Sequence, residues 1–175
     1  MAIKTMSHST GTGTWAEGWH ELTIESAEYG DYNGSKFIDV LFEGYPKNFN
    51  LRIYEAINKE THEEFALARL FKMANAGIID KIKSPNGKEA IQYDDDPKFL
   101  MGKKINTYFY KDGEYKRISN RIAPVVQDGD IISYTPNDVL FWKKVAEEYE
   151  AKRKDKTPVA EDTTTTESSN ADIPF

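Results

Sequence analysis

The sequence predicts a mainly β domain: a small five-stranded barrel with one internal helix, a helix after the last strand, and a disordered acidic tail. Three observations predict it. Apolar and polar residues alternate at period two in five separate stretches. One stretch, between the third and fourth of these, switches to helical spacing. After residue 154 the composition turns to threonine, serine and acid. The expected division is a flexible arm at 1–14, the barrel domain at 15–135, a helix at 136–154 and the tail at 155–175.

The first strand is expected between Trp15 and Tyr29, with Trp19, Glu21, Thr23 and Glu25 on one face and His20, Leu22, Ile24 and Ser26 on the other. Turn residues from Tyr29 to Gly34 close it. Lys36 to Glu43 follows, with Ile38, Val40 and Phe42 on its apolar face, and Gly44-Tyr45-Pro46 breaks it. Phe49, Leu51 and Ile53 then alternate with Asn50, Arg52 and Tyr54, giving a three-stranded antiparallel meander. Phe65, Leu67, Ala68, Leu70, Phe71 and Ala74 recur at helical spacing, with Thr61 and Glu64 as a capping box and Gly77 as the terminating glycine. Residues 78–97 read as loop, with a short strand at Glu89 to Tyr93. The fourth strand runs from Lys103 to Lys111, Asp112-Gly113 makes a hairpin turn, and the fifth runs from Glu114 to about Ile122. Five strands with one helix between the third and fourth is the order of an OB-fold, a partly open barrel. The second helix, about Asn137 to Lys154, places Val139, Leu140, Trp142, Val145 and Tyr149 at its apolar positions. It either packs on the barrel or makes a dimer contact.

The totals exclude several function classes. Absence of cysteine removes disulfides and thiolate metal sites. No apolar run is long enough to span a membrane, and residues 1–18 lack an apolar signal-peptide core, so a cytoplasmic location is expected. The three histidines are scattered, and no phosphate-cradling GxxxxGK[ST] or nucleophile GxSxG motif is present. Asp94-Asp95-Asp96 before a proline reads as a turn rather than a metal cluster, because successive side chains point apart. Neither catalysis nor a cofactor is expected.

Four of the 29 acids lie in Thr157–Phe175, which holds no Lys or Arg, so the body carries 25 acids against 23 bases. A near-neutral body confines any nucleic-acid site to a local patch. The tail buries too little apolar surface to order itself, yet it finishes on Asp172-Ile173-Pro174-Phe175. That ending resembles the acidic C-terminal tip of single-stranded DNA-binding proteins. Taken across Trp15 to Pro124, the body resembles phage-encoded members of that class, through a diffuse pattern of strand, turn and helix rather than a sharp motif. The resemblance implies coating of single-stranded DNA in replication, recombination and repair, with no reaction catalysed. It also implies that the tip recruits replication proteins such as polymerase, helicase or primase.

A sequence-tolerant site needs rings that stack on bases, at about 1–3 kcal/mol each, and cations that follow the phosphates. Alternation in the fourth and fifth strands assigns Ile105, Phe109, Ile118 and Ile122 to the core and places Lys104, Tyr108, Tyr110, Tyr115, Arg117 and Arg121 on the opposite face. The third strand adds Arg52 and Tyr54 by the same logic, and the second adds Phe37. Phe37 points away from the core side chains of its strand, so its partner is either a base or another part of the chain. Trp19 raises the same question, and Lys81, Lys83 and Lys88 offer a phosphate track along the long loop. The rival from another class is a protein-interaction adaptor with little DNA affinity, since an OB-fold does not fix function.

Overall fold

The structure, a computed structural model, describes residues 2–3, 15–83, 85 and 87–155. Its strands are Gly18–Tyr32 (β1), Ser35–Phe42 (β2), Leu51–Tyr54 (β3), Ile78–Lys83 (β4), Glu89–Tyr93 (β5), Lys104–Asp112 (β6) and Tyr115–Ile118 (β7). The helices are Ala66–Ala74 (α1) and Pro136–Asp155 (α2). Five strands form one antiparallel sheet in the order β3-β2-β1-β6-β7, and β4 and β5 form a separate hairpin.

The fifteen-residue β1 organises the sheet. Its first half pairs with β6, from Gly18 opposite Phe109 to Thr23 opposite Lys104. Its second half pairs with β2, and the register shifts between Ile24 and Ser26. That bulge reverses which residues face inward. Before it Leu22 and Ile24 are buried; after it Ala27 and Tyr29 pack on the same core. One continuous outer face therefore carries Trp19, Glu21 and Thr23 and then Ser26, Glu28 and Gly30.

Where a partly open barrel is expected, the five strands form an open sheet. Among the described residues no ladder joins β3 to β7. The regular strand β7 is four residues long, and beyond it the chain continues alongside β6 through an irregular stretch to Ala123. Asn106 and Ala123 exchange both backbone hydrogen bonds, at 2.8 and 3.0 Å, and the Asn106 side-chain amide donates to the Pro124 carbonyl at 2.9 Å. α1 closes the other side of the core, burying Leu67, Leu70, Phe71 and Met73.

Both ends of α1 differ from the expected caps. Glu64, rather than a Thr61–Glu64 box, holds the N-terminus: its carboxylate accepts from the backbone N–H groups of Ala66, Leu67 and Ala68 at 2.8–2.9 Å. It also accepts from Ala56 N–H at 3.0 Å, which ties the helix to the end of β3. At the C-terminus the left-handed cap is Asn75, two residues before Gly77, with φ of 53°. Gly77 has φ of 66° and passes so near the Asp94 carbonyl that a Cβ would overlap it.

Residues 78–97, expected as loop with one strand, contain a hairpin. Ile78 and Ile91 pack on a second small core of Ile132, Tyr134 and Val139. Tyr134 donates to the Lys72 carbonyl at 2.9 Å, joining this core to α1. α2 begins with a reciprocal cap: Thr135 Oγ1 accepts from Asp138 N–H, and Asp138 accepts from Thr135 N–H. Of its expected apolar positions Val139 is buried, but Leu140 lies in solvent beside Phe141.

Candidate nucleic-acid interface

The face predicted on β6 and β7 exists, and α2 lies over half of it. Trp19 and Tyr108 are cross-strand partners whose rings meet edge to face at 5.2 Å. The Trp19 indole donates to Glu147 of α2 at 2.6 Å, and Lys143 sits 5.6 Å from its ring. Tyr110 lies under the Arg153 guanidinium, 4.1 Å from the ring centroid. Buried Ser119 donates to Glu150, which also holds Arg153 at 2.8 Å. Burial raises the phenol pKa of Tyr110, and burial together with Glu147 raises that of Tyr108.

Arg121, expected on the exposed face, is buried, with its guanidinium 4.0 Å from the Tyr149 ring. The strand alternation that would have turned it outward ends at Ile118, and α2 covers the segment beyond. Burial pushes its guanidinium pKa down. Three predicted residues of this face remain in solvent. Lys104 faces Glu21 at 3.8 Å, Arg117 pairs with Asp112 at 3.2 Å, and Tyr115 is exposed with the Arg117 guanidinium 5.4 Å from its ring.

The second predicted group, on β2 and β3, is assembled. Phe37 stands opposite Tyr54 and Asp39 opposite Arg52, so all four side chains share the outer face. Arg52 donates two parallel hydrogen bonds to Asp39, at 2.7 and 2.8 Å, and its guanidinium stacks 3.8 Å from the Phe37 centroid. Hydrogen bonding to Asp39 raises the Arg52 pKa. Phe37 and Tyr54 meet edge to face at 5.4 Å. Phe37 is only 8% exposed, because its ring leans over Gly30 and under Arg52; its partner in this structure is the chain itself. Tyr54 is 41% exposed. Beside this stack runs a shallow groove of about 390 Å³, lined by Ser26, Glu28, Leu41, Lys47, Asn50 and Arg52 among others. Lys47 supplies an exposed cation and Asn50 anchors Asp39 at 2.9 Å. Tyr32, 61% exposed, stands at the β1–β2 turn on the same sheet face.

Protein-family models, curated proteins and solved structures give no match to this chain. The reading of the surface therefore rests on its own geometry.

Three residues that sequence reasoning did not place in a site come together on the inner side of the β6–β7 hairpin. Trp15 stacks on Phe109, and Lys111 and Lys116 point their ammonium groups at the Trp15 ring. The expected Asp112-Gly113 turn misses the register that makes the lysines cross-strand partners: Asp112 stands opposite Tyr115, with Gly113 and Glu114 at the turn. Lys81, Lys83 and Lys88 are exposed on the β4–β5 hairpin and its turn. The aspartate run is a turn: Asp94 accepts from Asp96 N–H at 2.9 Å, and Asp96 caps the short 3₁₀ turn Pro97–Leu100. Among the described residues no three His, Asp or Glu side chains are grouped to hold a metal ion, and no helix is long and apolar enough to cross a membrane. Asp172, Ile173, Pro174 and Phe175 lie outside the described residues.

Proposed function

We propose that this protein binds single-stranded DNA without sequence preference through the outer face of β1, β2 and β3, on an OB-like sheet. The observation that carries the reading is the Arg52–Phe37–Tyr54 stack beside the groove that holds Lys47 and Asn50. It joins a half-exposed ring to a fixed guanidinium plane, and both offer flat surfaces to a base. Asp39 neutralises Arg52 but also fixes it, so the guanidinium acts as a positioned stacking plane rather than a phosphate magnet. Lys47 and Lys104 supply the mobile cations for phosphates. The strand order β3-β2-β1-β6-β7, with α1 between β3 and the later strands, supports the OB-like assignment. Binding in that architecture uses the same strands and the turns beside them.

The protein acts by coating strands exposed in replication, recombination and repair, in the cytoplasm, and catalyses no reaction. The acidic tail competes with phosphates for the same cations, and its Asp172-Ile173-Pro174-Phe175 tip recruits replication proteins such as polymerase, helicase or primase.

Titration with poly(dT), followed by tryptophan and tyrosine fluorescence across a salt series, tests the reading. Strong quenching that weakens with salt is expected. Tyr54→Ala is expected to lose about 1–3 kcal/mol of binding, the worth of one stacked base. No quenching at low salt would overturn DNA binding and leave the adaptor reading.

A further inference from the structure

We propose that Lys111, Lys116 and Trp15 form a second nucleic-acid contact, a phosphate clamp beside an aromatic ring, on the inner side of the β6–β7 hairpin. It rests on the single-strand-binding reading and extends the DNA path from the outer face, past exposed Tyr115, around the turn at Gly113-Glu114.

The first observation is an arrangement that folding alone does not favour. Lys111 and Lys116 are direct partners in the ladder, and like charges placed opposite each other repel. Among the described residues neither has a carboxylate within ion-pair distance. An acid is close by: Asp112, one residue on from Lys111, turns to the other face and pairs with Arg117. The hairpin thus neutralises its outer cation and leaves its two inner ones bare.

The second observation is convergence. The Lys111 and Lys116 ammonium nitrogens lie 5.8 and 5.5 Å from the Trp15 ring. One indole sharing two cations relieves their repulsion only in part, whereas an anionic oxygen between them relieves it fully. Trp15 is a fixed platform, stacked on buried Phe109 at 6.1 Å with 16° between the planes. It is partly buried against the core, and its indole N–H is enclosed without a hydrogen-bond partner among the described residues.

The third observation is access. In a closed barrel the inner side of a strand is core. Here β7 has no partner on its far edge among the described residues, and the core residues of this hairpin end at Phe109 and Ile118. Lys111 and Lys116 lie one step beyond them and are exposed. Two cations and a ring suit the phosphodiester and base of a flexible single strand, which follows the edge of a narrow hairpin more readily than a stiff duplex does.

The test compares the full chain with a Lys111→Gln/Lys116→Gln variant, using a thirty-nucleotide oligo(dT) over a series of salt concentrations. Exposed Lys72→Gln, on α1 and part of neither surface, serves as the charge control. The double variant is expected to bind about tenfold more weakly at low salt. Its log-affinity against log-salt slope should fall by about 1.4, because each phosphate contact on a single strand contributes about 0.7. Its thermal midpoint should hold or rise, since the repulsion is gone. An unchanged slope, while Tyr54→Ala still weakens binding, overturns the clamp and leaves the outer-face reading standing. Failure of the unaltered chain to bind oligo(dT) overturns both.

Discussion

Gly30→Ala separates two opposing effects at the outer face. Alanine in place of a strand glycine normally stabilises by about 0.4–1 kcal/mol, because the unfolded chain loses freedom. The backbone at Gly30 does not have positive φ, so it accepts a side chain. The space does not. A Cβ built there lies 2.4 Å from Phe37 Cζ and 2.5 Å from Cε1. Ordinary carbon contacts begin near 3.5 Å, so the ring must retreat by about 1 Å. Arg52 covers that ring at 3.8 Å and is itself held by two hydrogen bonds to Asp39, so the retreat both tilts the ring off its rotamer and breaks the stack. The first costs about 0.5–1.5 kcal/mol and the second about 0.5–1 kcal/mol. The two costs together exceed the entropic gain, giving a net loss of about 1 kcal/mol. For a chain of this length that lowers the thermal midpoint by about 2–4 °C. The assay is thermal denaturation of Gly30→Ala in the wild-type and Phe37→Ala backgrounds. With the ring removed, alanine should be neutral or stabilising. Equal rises in midpoint in both backgrounds would refute the packing argument.

Glu150→Ala should cost about 2–4 kcal/mol, because it leaves the buried Ser119 hydroxyl and the partly buried Arg153 guanidinium without their carboxylate. A urea midpoint within experimental error of wild type would show that α2 is held by other contacts. Phe175→Ala should reduce capture of replication proteins by the immobilised full chain while oligo(dT) affinity stays the same; undiminished capture would remove the tip from the recruiting role.

Period-two alternation located the sheet well, because one side of each strand packs on a single core and selects the apolar residues. It also identified correctly that Phe37, Arg52 and Tyr54 share a face. It missed β4, whose residues Asp80, Lys81 and Lys83 are exposed and whose Ile78 packs on a core assembled from residues far along the chain. The capping residues were misassigned for a related reason. Thr61 and Gly77 have the usual identities, but Glu64 reaches four backbone donors at once and Asn75 adopts the left-handed turn itself. Alternation also could not show that α2 covers Tyr108, Tyr110 and Arg121. The groups that do so, Glu147, Tyr149, Glu150 and Arg153, are separated from β6 and β7 by about thirty residues or more; Tyr149 lies on the expected apolar stripe, but the two acids and the arginine carry no apolar signal.

The register passes from Ile24 opposite Phe42 to Ser26 opposite Leu41, so Glu25 is the one residue of this stretch of β1 without a counterpart on β2. Deleting Glu25 would therefore straighten the strand rather than change its parity. Leu22 and Ile24 would stay on the core side, and Trp19, Glu21 and Thr23 on the outer side. What the deletion removes is the local bend by which β1 passes from its β6 half to its β2 half. A substitution of Glu25, exposed as it is, leaves every other side chain where it was. Variation among sequences of this architecture should therefore include many residue types at this position and also a one-residue gap.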